Sequence, residues 1–121
     1  MMKKLVVVDD EPEVRSTINV MLSGQYDIKE LETVNEVIEY CKKKSVDLII
    51  TDLFMPEKSG LDLIESIKEM NYDVKLLAVS GGSRINKYDF LPIAELMGAH
   101  GILHKPFTPN ELRGKVRELL N

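Results

Sequence analysis

The sequence predicts a doubly wound α/β domain whose parallel sheet is covered by helices on both faces. Short apolar runs recur at residues 5–8, 48–50, 76–79 and 101–103, separated by longer segments whose apolar residues follow helical spacing. Strands alternating with helices in a chain of 121 residues require right-handed crossovers, which make neighbouring strands parallel. Hydrophobic residues make up 44% of the chain, enough for one core in the commonest size range of a single domain.

Taken in order, the elements follow from these patterns. LVVV at 5–8 has no polar alternation, as suits a strand buried on both faces, and it runs straight into Asp9, Asp10 and Glu11. Val14, Ile18, Met21 and Leu22 make the stripe of a first helix, with Gly24 as its C-terminal cap. Residues 26–31, YDIKEL, form a strand of mixed polarity that fits a sheet edge. Val34, Val37, Ile38 and Cys41 mark a second helix, so Cys41 is expected in the core, and lysines 42–44 sit at the negative pole of that helix. The strand at 48–50 leads through Thr51 to Asp52. Met55 and Pro56 then turn the chain, and Ser59 and Gly60 open a helix with Leu61, Ile64 and Ile67 inward. The strand at 76–79 ends at Ser80. Ile93, Leu96 and Met97 are the expected core stripe of a fourth helix stopped at Gly98. The strand at 101–103 precedes His104 and Lys105, and Leu112, Val116, Leu119 and Leu120 line a last helix entered through Thr108 and Pro109. His100 and His104 flank that strand as a surface and a rim residue. No repeat and no linker to a second domain is visible, and one domain spanning residues 1–121 is expected.

Composition excludes several classes of function. Sixteen basic against twenty acidic residues give a net charge of -4, without the basic face that a nucleic acid requires. A single cysteine rules out an internal disulfide and a multi-thiolate metal centre, and MMKKLVVVDD is too short and too soon charged for a signal peptide. The apolar runs fall far below the roughly 20 residues that span a bilayer. A cytoplasmic protein without membrane contact is expected.

In an open parallel sheet, ligands bind beyond the carboxyl ends of the strands, where the strand order reverses. Asp9 and Asp10, Asp52, Ser80 and Lys105 each follow a different strand and so converge on that rim. Carboxylates gathered at the end of a buried strand must be paired, neutralised or bound to a cation. A hard cation bound through oxygen suits them, Mg2+ above all. The Lys105 ammonium could hold a phosphoryl oxygen and the Ser80 hydroxyl another. Asp52 stands alone in its loop facing the pair and could form an aspartyl phosphate, although charge alone does not say which carboxylate is the nucleophile.

VVDDEPEVR, TDLFMPEKSGLDLI, VSGG and HKPF, in this order across nearly the whole chain, resemble the receiver domain of two-component response regulators. That resemblance implies a flavodoxin-like, three-layer α/β/α fold with five strands and five helices. It implies Asp52 as phosphoacceptor, with Mg2+ held by Asp9, Asp10 (directly), Asp52 and the backbone carbonyl of Phe54. Ser80 and Lys105 would contact the phosphoryl group, and the Lys105–Pro106 bond would be cis. The donor would be a histidine kinase or a histidine phosphotransfer protein, and an effector protein would read the signal from a monomer or weak dimer. The chain would not be an enzyme. A small aspartyl-phosphate phosphatase needs a second aspartate two residues after its nucleophile, and position 54 is Phe; a receiver cut from a longer regulator with an output domain is the other alternative. The chain departs from the family pattern at Ile102, where an aromatic is usual, and in GGSRINKYD at 81–89, a longer stretch expected to form a mobile loop, either a partner-specific surface or a tolerated insertion.

Overall fold

The computed structural model describes residues 2–81 and 89–121. Five strands, β1 (Lys4–Val8), β2 (Asp27–Leu31), β3 (Leu48–Asp52), β4 (Lys75–Ser80) and β5 (Gly101–His104), alternate with α1 (Pro12–Met21), α2 (Val34–Lys43), α3 (Gly60–Glu69), α4 (Leu91–Met97) and α5 (Pro109–Leu120). All four strand pairings are parallel and the order is β2-β1-β3-β4-β5. The flavodoxin-like expectation is met, with β2 at an edge as its polarity predicts.

Alternation along each strand divides the core in two. Leu5, Val7, Leu48, Ile50, Leu77 and Val79 face α1 and α5, against Ile18, Leu22, Leu112 and Val116. Val6, Val8, Ile49, Leu76 and Ala78 face the other way, against α2, α3 and α4, where Cys41 is buried as expected. Three helices start with a reciprocal capping box: Thr33 with Glu36, Ser59 with Asp62, and Thr108 with Glu111, the last followed by Pro109 in the first turn. Each box satisfies otherwise orphaned N–H groups and fixes where the chain leaves the site rim.

Two expectations are corrected. The core stripe assigned to α4 holds only at Met97, which packs against the core: Ile93 and Leu96 are exposed, at 44% and 88%, while Leu91 and Ala94 are fully buried. Leu91 and Ala94, one turn apart, share the face that packs on the core, which turns Ile93 and Leu96 to solvent. Gly24 does not cap α1. The helix ends at Met21 with Leu22 as its C-cap, and Gly24 lies beyond, in the turn, with φ of 81°. Of the 81–89 stretch, only Gly81 and Asp89 fall within the described residues.

His100 has a structural task at the start of the β4–β5 pairing. The Leu76 N–H donates to its Nδ1 at 3.0 Å, and the His100 N–H donates to the Leu76 carbonyl at 2.8 Å. Nδ1 must therefore stay unprotonated. Burial, then the Lys75 and Lys68 charges, lower the His100 pKa from its ordinary value, against an opposing pull from Asp73. Because the folded pKa lies below the unfolded one, the contribution is present above pH ~6.5 and is lost as pH falls through the folded value. In urea unfolding between pH 7.5 and 5.5, His100→Gln should gain stability relative to wild type as pH falls, because the variant lacks this acid-side loss. Equal slopes against pH would remove this role.

Candidate phosphoacceptor site

The strand order reverses between β1 and β3, whose neighbours in the sheet lie on opposite sides. Val8 pairs with Thr51 in register, so Asp9 and Asp52 leave these two strands side by side. Asp9, Asp10 and Asp52 each place a carboxylate oxygen within 4.8 Å of the others. The strands bury what they carry: Asp9 is 1% and Asp52 7% exposed.

Lys105, just past β5, supplies the countercharge. Its Nζ lies 3.6 Å from Oδ2 of Asp9 and 3.6 Å from Oδ2 of Asp52. The Lys105–Pro106 bond is cis, as the resemblance implies. Ser80 closes β4 and is fully buried, and its carbonyl accepts the Lys105 N–H at 2.9 Å, tying the two rim residues together. Phe54 is 43% exposed and packs edge-on against Phe90, with ring centroids 5.4 Å apart. The site residues expected from the sequence lie at the ends of their strands on one rim, with Asp9, Asp10 and Asp52 in mutual reach and Lys105 beside Asp9 and Asp52.

The electrostatics follow from burial. Desolvation pushes the Asp52 carboxyl up to about 6, moderated by Lys105 and by the Leu53 and Phe54 N–H groups, and reinforced by Asp9. Desolvation also raises Asp9, against the Glu11 N–H and Lys105. Lys105 alone leaves excess negative charge on the carboxylates. Asp9 Oδ2 is buried with no hydrogen-bond partner among the described residues. Oxygen-only donors with excess negative charge and one unsatisfied buried lone pair fit a hard divalent cation such as Mg2+.

Some contacts carry no signal that sequence reading used. Arg15 Nη1 donates to the Asp9 carbonyl at 2.6 Å, and its Nε lies 3.7 Å from Glu30 of β2. Arg15 stands in VVDDEPEVR, but nothing in its spacing points at a backbone carbonyl. His104 sits at the rim with Nε2 2.8 Å from Asp89 Oδ2.

Comparison with known proteins agrees with this geometry. Residues 5–117 match the family model described as response regulator receiver domain. Regulatory protein VanRc of Enterococcus gallinarum is 27% identical over 99% of the chain and 51% of its own length. Response regulator Rre1 of Synechocystis is 32% identical over 96% of the chain and 51% of its own length. The chain thus spans about half the length of these curated relatives. A solved structure of the response regulator protein TrrA from Thermotoga maritima, in complex with Mg2+ and BeF, is 30% identical with a TM-score of 0.84, covering 98% of this chain and 100% of that one. With the strand order, the acidic rim and the matched span all in agreement, the chain belongs to the response regulator receiver domains of two-component signalling.

Proposed function

We propose that residues 1–121 form one receiver domain in which Asp52 accepts a phosphoryl group from a phosphohistidine, on a histidine kinase or phosphotransfer protein, in a Mg2+-dependent step. The observation that carries this reading is the Asp52 carboxylate held beside Asp9, Asp10 and Lys105 where the strand order reverses. An Asp52 oxygen attacks phosphorus, the P–N bond to the donor imidazole breaks, and its electron pair stays on the imidazole nitrogen. At neutral pH a carboxyl titrating near 6 is mostly ionised and ready to attack. Mg2+, held by Asp9, Asp10, Asp52 and the Phe54 carbonyl, would neutralise charge on the transferring group. Lys105 would hold one phosphoryl oxygen and Ser80 would donate to another. Beside Lys105, a groove lined by Val14, Thr17, Ile18 and Phe107 offers the donor protein an apolar seat next to the acceptor. No described helix is long and apolar enough to cross a membrane. Incubation with acetyl phosphate should add one phosphoryl group to the intact mass when Mg2+ is present and none when it is chelated. No gain in either condition would overturn the proposal.

Release of the phosphoryl group should be slow. The attacking water must approach in line with the bond to Asp52, and Phe54, held against Phe90, presents an apolar wall with no hydrogen bond to orient it. Gly82, two residues after Ser80 and without a side chain to help, lies outside the described residues. Phe54→Asn should speed decay by roughly 5-fold, the equivalent of about 1 kcal/mol from one hydrogen bond. Decay followed at equal Mg2+ in both proteins decides it, and an equal or slower variant rejects the idea.

A further inference from the structure

We propose that Arg15 is a positioning residue for the acidic pocket, holding the turn of Asp9 and Asp10 through the Asp9 carbonyl so that their carboxylates stay aimed at a divalent cation. The proposal rests on the reading of that pocket as a cation site.

Asp9 is restrained at almost every polar atom. Its N–H donates to the Leu31 carbonyl at 3.2 Å, its Oδ1 accepts the Glu11 N–H at 2.9 Å, and its carbonyl accepts Arg15 Nη1 at 2.6 Å. Oδ2, buried, with no hydrogen-bond partner among the described residues and with Lys105 Nζ 3.6 Å away, is left for the pocket. Arg15 is itself held. Its Nε lies 3.7 Å from Glu30 Oε1, and Asn19, one turn further along α1, donates to Glu30 Oε2 at 2.8 Å. Residues four apart share a helix face, so Arg15 and Asn19 grip one carboxylate from β2 together. Glu30 pairs in register with Val7, two residues before Asp9. The chain of contacts therefore runs from the edge strand through α1 to the peptide that joins Asp9 to Asp10. Rotation of that peptide would swing the direction in which Asp10 leaves the strand.

Charge and position predict opposite signs, which makes the role testable. A guanidinium close to a cation site repels the cation, so by charge alone its removal should tighten Mg2+ binding. By position, its removal should weaken binding about tenfold, the usual cost of losing a group that orients metal ligands. Arg15→Lys keeps the charge and one donor for the carbonyl but not the second nitrogen that faces Glu30, so it should recover part of the loss.

Calorimetric Mg2+ titration of the full chain should compare wild type, Arg15→Gln, Arg15→Lys and Asp10→Ala, with metal-free thermal melts to confirm folding. About tenfold weaker binding in Arg15→Gln, partly recovered in Arg15→Lys, supports the role. Equal or tighter binding in Arg15→Gln while Asp10→Ala loses affinity overturns it and leaves the cation pocket standing. Wild-type affinity in Asp10→Ala overturns the pocket reading itself, and the positioning role with it. Should Arg15→Gln fail to fold, the charge-neutral Asn19→Ala, which frees Glu30 on one side, should bind roughly threefold more weakly. Undiminished affinity there overturns the role.

Discussion

Asp52→Asn is expected to abolish phosphoryl incorporation and, in the same molecule, to stabilise the metal-free fold at neutral pH. The first effect is absolute, because an amide oxygen is no nucleophile toward phosphorus and the nearby Asp9 and Asp10 are committed elsewhere in the proposed scheme. Intact mass after acetyl phosphate treatment reads it directly, and a phosphoryl group retained on the variant would move the acceptor to another residue. The second effect comes from burial. With its carboxyl titrating near 6 in the fold, Asp52 holds a proton more tightly than the unfolded chain does. Its favourable contribution is therefore present below the unfolded value of about 4 and is lost as pH rises through 6. At pH 7 the ionised group opposes folding, by on the order of 1–3 kcal/mol at most, and loss of the Lys105 attraction in the variant offsets part of the gain. A net gain of about 1 kcal/mol in urea unfolding at pH 7 should shrink toward pH 5, where the wild-type carboxyl is protonated. A variant less stable than wild type at pH 7 would show that the carboxylate is not strained by its surroundings.

Legibility in the sequence tracks how local each signal is. LVVV followed by Asp9 and Asp10 is a contiguous pattern, since an unbroken apolar run has one structural use and the charges at its end one place to go. Ser59 and Thr108 announce two helix starts because a capping box closes within four residues, and the Thr33 box before α2 is equally local though only the structure brings it out. The fourth helix is only partly legible for a related reason: Leu91 stands at its first position and Ala94 is weakly hydrophobic, yet these two share the buried face, while the more apolar Ile93 and Leu96 lie on the exposed one. Hydrophobicity ranks side chains by transfer cost, whereas in a helix of two turns a shift of one position in the stripe exchanges the buried face for the exposed one. Arg15 escaped altogether, because its partners are a backbone carbonyl six residues earlier and Glu30 on another strand. The KEL of β2 read only as edge polarity, and its glutamate acquires a role once α1 is laid beside it. The pKa of Asp52 is of the same kind, set by burial and Lys105 across the sheet rather than by its neighbours in the chain.

Gly60→Ala should be among the most damaging single methyl groups that can be added to this fold, while Gly114→Ala should stabilise it. Gly60 opens α3, and its N–H donates to the Leu53 carbonyl at 3.1 Å, which closes the loop after Asp52 on itself. A Cβ on Gly60 would overlap the Asp52 carbonyl oxygen, inside the 3.0 Å that real Cβ atoms respect, and would press on Leu53 Cδ2 at 2.9 Å and Leu53 Cα at 3.0 Å. Two of these neighbours are backbone atoms at the end of a buried strand. No rotamer change relieves them. Overpacking of this kind costs typically 1–3 kcal/mol, and the upper end, about 3 kcal/mol, is expected here because the strand must shift. For a chain of this size that corresponds to a fall in melting temperature of roughly 10 °C. Gly114 lies in the middle of α5 with nothing within 4 Å of its added Cβ, so alanine there only removes backbone freedom from the unfolded chain and should add about 0.5–1 kcal/mol. The pair holds the chemical change constant and varies only the surroundings. The strand shift in Gly60→Ala should also displace the Asp52 carboxylate, so phosphoryl incorporation should slow even at a temperature where the variant is fully folded. A Gly60→Ala protein that melts within about 2 °C of wild type would show that the loop yields where the geometry says it cannot.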